Sequence, residues 1–239
     1  VVGRVPLFGG SAADNTISGN WSLYLDNKVT SEGVAVALIY MKNGFVNEFT
    51  GAYRETKDMG IITKVEGTRQ LVSIDGVPAV KKYAQWRGRK PSEFMGAKLL
   101  SETITSPLGV KDRLGDLIAI RHPMNGNDDY SMNIGANLAE GTTVIRMEAT
   151  VDELISSVGK TLKKLNSRCK KPVVAYHLVH CGGRRAGIDN RINEVYKEIK
   201  KNVGGVPFIM EFTFGEYGYV EDGNNTTGGL MLSFTAITK

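Results

Sequence analysis

The longest uninterrupted apolar run in this chain, Val34 to Tyr40 and on through Met41, is eight residues. A helix that crosses a bilayer needs about 20. The chain must therefore build its core from many short elements. Its 239 residues suffice for one large domain or two small ones. Hydrophobic residues make up 41% and charged residues 23%, close to a globular average, which excludes a disordered chain, a collagen-like rod or a coiled coil. Glycine is frequent (28) and proline scarce (7). That combination points to tight turns and close backbone approaches in a packed fold.

The pattern from residue 20 to 74 reads mostly as strands. Trp21 to Leu25 alternates, and Gly33 to Tyr40 has the continuous apolar character of a strand buried on both faces. Phe45–Phe49 and Ile61–Val65 follow, with turn signals at Lys42-Asn43-Gly44, Glu66-Gly67 and Asp75-Gly76. Pro78 at a first helical position predicts a helix with Val80, Tyr83 and Ala84 on its apolar face. A second short helix is expected from Ser92. Strands return at Leu117–Ile120, Tyr130–Ile134 and Thr142–Met147. Thr150 and Glu153 form a capping box ahead of a stripe of Leu154, Ile155, Val158, Leu162 and Leu165. Pro172–Val179 is a buried strand, and Ile188, Ile192, Val195 and Ile199 mark a further amphipathic helix. Pro207–Phe214 and Leu230–Ile237 close the chain as strands. The fold class is α+β: a layered sandwich of mainly antiparallel sheet with packed helices.

No basic region followed by an apolar stretch opens the chain, and two cysteines, Cys169 and Cys181, make no disulfide framework. A cytoplasmic location is expected. The net charge of +5 is uneven: residues 160–201 hold twelve Lys or Arg against three Asp or Glu. Such a segment suits a solvated helix face with a basic loop, an anionic ligand, a nucleic acid or a membrane surface. With few aromatics, none interleaved with the basic residues, base stacking on nucleic acid has no support.

Cofactor motifs are absent. No Gly-x-Gly-x-x-Gly follows a strand, and Gly159-Lys160-Thr161 is a failed phosphate loop because Leu154 stands where its first glycine belongs. His177 and Cys181 share a strand face while His180 points the other way, so no zinc set forms. Neither a cofactor nor a metal is expected.

Polar chemistry gathers where strands end. Phe8-Gly9-Gly10-Ser11-Ala12-Ala13-Asp14 offers backbone donors flanked by Ser11 and Asp14, the makings of an anion nest. Cys181-Gly182-Gly183-Arg184-Arg185 brings a thiol and two arginines to a strand-to-helix turn. Glu216 lies between Gly215 and Gly218 after an apolar strand, suited either to a ligand ammonium or to an internal pair with Arg184 or Arg185. Asn224-Asn225-Thr226-Thr227 supplies amides and hydroxyls for a turn or a polar ligand.

Taken together these places resemble the FIST family (F-box and intracellular signal transduction) of sensory domains. The C-terminal FIST domain is matched from about Gly67 to Val220. Its features are Asp75-Gly76-Val77-Pro78 before the Tyr83 helix, Ser106-Pro107-Leu108-Gly109, Ala119-Ile120-Arg121, and Glu140-Gly141 before a Thr-Val-Ile strand. The Asp152 helix, Cys181-Gly182-Gly183-Arg184, Gly215-Glu216-Tyr217-Gly218 and Asn225-Thr226 complete the series. Pro6 to Asp14 resembles the later part of the N-terminal FIST domain. The resemblance divides the chain into residues 1–66, the C-terminal portion of an N-terminal-like domain, and residues 67–239, a C-terminal-like domain. The N-terminal domain normally carries an earlier half, so an uncovered edge is expected that a second copy of the chain would cover.

The resemblance implies a signal-transduction input domain that binds amino acids or small organic anions and acts on an output domain or protein. Gly9, Gly10, Ser11, Asp14, Cys181, Arg184, Arg185, Glu216 and Asn225 are the candidate ligand-binding residues. The leading reading is non-enzymatic. The alternative is an enzyme with Cys181 as nucleophile, and a scaffold using the basic segment stands third.

Overall fold

A computed structural model describes residues 5–111, 118–220 and 224–239. In chain order its first elements are β1 (Gly9–Gly10), β2 (Leu23–Leu25), β3 (Lys28–Thr30), β4 (Phe45–Thr50), β5 (Arg54–Glu66), β6 (Gln70–Ile74), β7 (Val77–Pro78), α1 (Ala79–Arg87) and α2 (Lys98–Glu102). Next come β8 (Leu108–Lys111), β9 (Ile118–Arg121), β10 (Pro123–Gly126), β11 (Met132–Ile134), β12 (Thr143–Glu148) and α3 (Val151–Arg168). The chain closes with β13 (Val173–Cys181), α4 (Gly182–Ile188), α5 (Ile192–Val203), β14 (Phe208–Thr213), β15 (Glu216–Val220), β16 (Asn224–Gly228) and β17 (Leu232–Thr238). The protein is α+β, with helices on mainly antiparallel sheet. Among the described residues no helix is long and apolar enough to cross a membrane.

The chain forms two compact units. One comprises Val1–Thr50, Ile155–Thr227 and Met231–Lys239; the other comprises Gly51–Leu154 with Gly228–Leu230.

In the first unit a four-stranded sheet runs β14-β13-β17-β4. Only β13 and β14 pair in parallel; β17 is antiparallel to both of its neighbours. Two sides of this sheet are covered, so β17 is buried almost end to end, and the hydroxyl residues Ser233 and Thr235 are buried in it beside Leu232, Phe234 and Ala236. A three-stranded sheet, β1-β15-β16, packs against it closely. At Gly218 a Cβ would fall 2.3 Å from the Phe49 ring, so no larger residue fits between the layers. Buried Asn47 joins them. Its amide donates to Ser233 Oγ (3.1 Å) and Thr235 Oγ1 (2.9 Å), and its Oδ1 accepts the Tyr219 N–H at 3.0 Å. Glu48, also buried, takes Lys164 (2.5 Å) and Arg168 (2.6 Å) from α3. That pairing uses part of the basic 160–201 segment inside the fold.

The second unit is built on one antiparallel sheet in the order β10-β11-β6-β5-β12-β8-β9, with β7 paired to β6. Ile62, Leu71, Ile74, Val80, Tyr83 and Phe94 lie in its core. Tyr83 and Phe94 meet edge to face at 5.0 Å, and the Tyr83 hydroxyl donates to the Ser106 carbonyl at 2.6 Å. The capping box forms as expected, with Thr150 N–H to Glu153 at 2.7 Å and Glu153 N–H to Thr150 Oγ1 at 3.2 Å.

Several expectations change. Residues 33–40 are neither strand nor buried: Val34, Val36, Leu38, Ile39 and Tyr40 are all exposed. Apolar character reports what side chains need, and no layer among the described residues supplies cover here. Trp21–Leu25 contributes only Leu23–Leu25, in an exposed hairpin whose turn residues Asp26 and Asn27 both have positive φ. Pro78 is the N-cap of α1 and ends β7, one step before the expected position. Ser92 lies within a 3-10 turn, Pro91–Phe94, and the helix proper starts at Lys98. Tyr130 sits at φ +63 in the turn of the β10–β11 hairpin rather than in a strand. Asn224–Gly228 is a strand where sequence suggested a turn. The expected strand start at Leu117 lies outside the described residues.

Candidate functional site

The parallel pair β13–β14 defines the site within the first unit. Cys181 and Thr213 are register partners at its carboxyl ends. Ligand crevices in α/β sheets open at that end of parallel strands. After Cys181 the chain turns directly into α4 through Gly182, where an added Cβ would come within 3.2 Å of the Thr213 carbonyl. After Thr213 it turns through Phe214 and Gly215 to Glu216, the first residue of β15. The end of β13, the first turn of α4 and the start of β15 thus bring Cys181, Arg184 and Glu216 together.

Glu216 is fully buried. One of its oxygens accepts the Thr213 hydroxyl at 2.8 Å and the other accepts the Met231 N–H at 3.0 Å. The Cys181 thiol is also a donor to it. Burial pushes the Glu216 carboxyl up to about 7, against the pull of the Met231 and Thr213 hydrogen bonds, the Arg184 charge and the thiol. Near neutral pH the group therefore sits close to half ionised.

Arg184 has no exposed surface and donates from Nη2 to Ser157 Oγ of α3 at 2.6 Å. His180 lies on the opposite strand face from Cys181, also fully buried, with its ring edge-on to Phe212 at 5.4 Å. Its Nδ1 is 2.9 Å from the Cys181 carbonyl, and its Nε2 has no hydrogen-bond partner among the described residues. Burial, with the Arg184 charge acting the same way, holds this imidazole down to about 3, so it is neutral.

The other candidates divide. Gly9 and Gly10 form β1 and pair with Tyr217 and Glu216 of β15, so their backbone serves the sheet instead of an open nest. A Cβ on Gly10 would lie 2.3 Å from Thr213 Cγ2, which brings β1 flush onto the site. Ser11 adjoins it, with its hydroxyl 2.6 Å from the Tyr217 hydroxyl. Asp14 does not join this group. Its Oδ2 accepts from the Ser18 and Asn20 N–H groups at 2.9 and 3.1 Å and closes its own loop. Arg185 is exposed, its guanidinium 6.0 Å from the Phe212 ring centre. Asn225 clips the leading segment, accepting the Leu7 N–H at 2.7 Å and donating to the Val5 carbonyl at 2.8 Å.

Thr213, Ser157 and the Met231 N–H belong to the surroundings of the site and escaped the sequence reading, whereas His180 lies on the strand face opposite Cys181 as expected. Ser157 carried a signal, as a polar residue within the apolar stripe of α3. Met231 acts through its backbone and carried none. Among the described residues no three His, Cys, Asp or Glu side chains are grouped to hold a metal.

Comparison with known families is specific: the FIST C domain matches residues 79–219 and the FIST N domain matches residues 1–77. This chain belongs to the FIST family, whose members are sensory domains of signal transduction. The compact units cut across these two spans, since the first unit draws strands from both. Neither the curated proteins nor the solved structures include a match to the chain.

Proposed function

We propose that this protein is a non-enzymatic sensory input domain whose ligand is an amino acid or a small organic anion, recognised at Cys181, Arg184 and Glu216. The observation that carries this reading is the burial of opposite charges, Arg184 and Glu216, at the carboxyl end of one parallel strand pair. A buried guanidinium suits a ligand carboxylate, and a buried carboxyl suits an ammonium. Gly9, Gly10 and Ser11 border the cup through β1. Asp14, Arg185 and Asn225 act at a distance, on loops and surface. A signalling output domain or protein and a second copy of the chain are the partners this reading calls for, and the cytoplasm is its setting. Residues 1–66 and 67–239 are its N-terminal-like and C-terminal-like parts.

Calorimetric titration of the full chain with amino acids and small dicarboxylates tests the proposal. Saturable heat that disappears in Arg184→Met, with Arg185→Met unchanged, is the expected result. No heat from any of them in well-folded protein removes it.

The enzymatic alternative, with Cys181 as nucleophile, draws on the thiol's place beside a titrating carboxyl. Its neighbour is not an imidazole: His180 faces the other side of β13 and is neutral. Iodoacetamide labelling discriminates the readings, because an activated Cys181 alkylates well below the ordinary thiol pKa of about 8.5.

A further inference from the structure

The segment Gly33–Tyr40 is the most unusual surface of the molecule. Val34 is 84% exposed, Leu38 74% and Tyr40 93%. No residue from 34 to 40 lies in a helix or strand. The composition nonetheless favours a strand: Val, Ile and Tyr dominate, and no charge or proline falls between Glu32 and Lys42. Unpaired segments of this kind are templates for another strand.

We propose that two copies of this chain pair through residues 33–41 as antiparallel strands about a two-fold axis at Ala37. The sequence is self-complementary in that register. Val34 opposes Tyr40, Val36 opposes Leu38, and Ala37 meets itself. The charged ends complete it, because Glu32 of each copy opposes Lys42 of the other. Sliding the centre by one residue, to Val36, sets Glu32 against Tyr40 and Lys42 against Thr30, and both charge pairs are lost. The Ala37 register also keeps Val34, Val36, Leu38 and Tyr40 of both copies on one face of the ribbon.

The apolar surface on offer is large: Val34, Val36, Leu38, Ile39 and Tyr40 are each more than half exposed. Leu23, Leu25 and Lys28 of the β2–β3 hairpin line a concavity together with Val34 and Ala35. The hairpin thus extends the same surface, with Tyr24 and Val29 exposed on it. A second copy is the favoured occupant because one sequence supplies both the strand and the opposite charge at each end, in a closed two-fold arrangement.

The test uses the full chain with Cys169→Ser, since Cys181 is buried. Sedimentation should give a dimer at micromolar concentration. Ala37→Cys should form an intermolecular disulfide under mild oxidation and Ala35→Cys, opposite Ile39, should not. Glu32→Lys or Lys42→Glu alone should weaken the dimer roughly ten-fold, and the double exchange should restore it. Val36→Asp should give a folded monomer, because Val36 is exposed and its loss disturbs no core. A monomer at tens of micromolar, open-ended aggregates in place of a dimer, or a dimer indifferent to Val36→Asp and to the charge exchange would each overturn the proposal.

Discussion

Replacing Glu216 with glutamine should change how stability depends on pH in a direction set by burial. The Glu216 carboxyl has an ordinary value of 4.5 and stands near 7 in the folded protein. Between those values the folded state keeps a proton that the unfolded state has released. Stability therefore falls as pH rises through this window: the contribution is complete below about 4.5 and gone above about 7. A displacement of about 2.5 pH units corresponds to roughly 3 kcal/mol at 1.36 kcal/mol per unit. Glutamine mimics the protonated acid and does not titrate. Its carbonyl still accepts the Met231 N–H, and its amide faces the Thr213 hydroxyl. His180, held down to about 3, and His122, held down to about 4 by burial, work in the opposite sense. Each of them gains stability as pH climbs toward 6.5. They are common to both proteins and cancel in the difference. Urea unfolding of wild type and Glu216→Gln from pH 4.5 to 8 measures that difference directly. The variant should gain about 3 kcal/mol relative to wild type across the range, whatever constant offset the altered pairing with Arg184 introduces. A flat difference would show that Glu216 titrates as an exposed carboxyl does, and the reasoning from burial would fail.

Two further outcomes follow from the same geometry. Arg184→Met leaves Glu216 without its buried counter-charge and should cost about 3–5 kcal/mol at pH 8, less at pH 5 where the carboxyl is protonated; Arg185→Met, on an exposed side chain, should stay within about 0.5 kcal/mol by thermal unfolding. Gly10→Val drives a side chain into Thr213 and should destabilise by about 1–3 kcal/mol, with hydrogen exchange at residues 7–11 rising sharply and that at Leu178 unchanged.

The strands and helices that the sequence made legible are those whose two faces differ or whose cover comes from the same unit. The α3 stripe is readable because Leu154, Val158, Leu162 and Leu165 are all core residues spaced by helical turns. The β17 run is readable because sheet lies on one side and helix on the other. Gly33–Tyr40 has the composition of a buried strand and lies exposed instead, since a strand signal is blind to whether a neighbour exists. At the candidate site, Cys181, Arg184 and Glu216 were legible because each is a reactive or charged residue placed beside glycine where an apolar strand stops. Asp14 and Asn225 looked similar and instead close loops, as short polar side chains do when a backbone N–H lies nearby. The Met231 contribution could not be seen, because a backbone donor has no sequence identity. The nest expected at Gly9-Gly10 gave way to β1 because pairing with β15 satisfies those backbone groups more completely than an open loop would.

Ser157 sits midway along α3, and its hydroxyl is held by the Arg184 guanidinium, the buried charge nearest in kind to what a ligand carboxylate would need under the proposed function. A guest carboxylate competing for that Nη2 would unlatch the serine from Arg184. An eighteen-residue rod would register the arrival through one released hydroxyl, well before any strand had shifted. Occupancy would then be reported as a change in helix tethering, and α3 is where a spectroscopic label belongs.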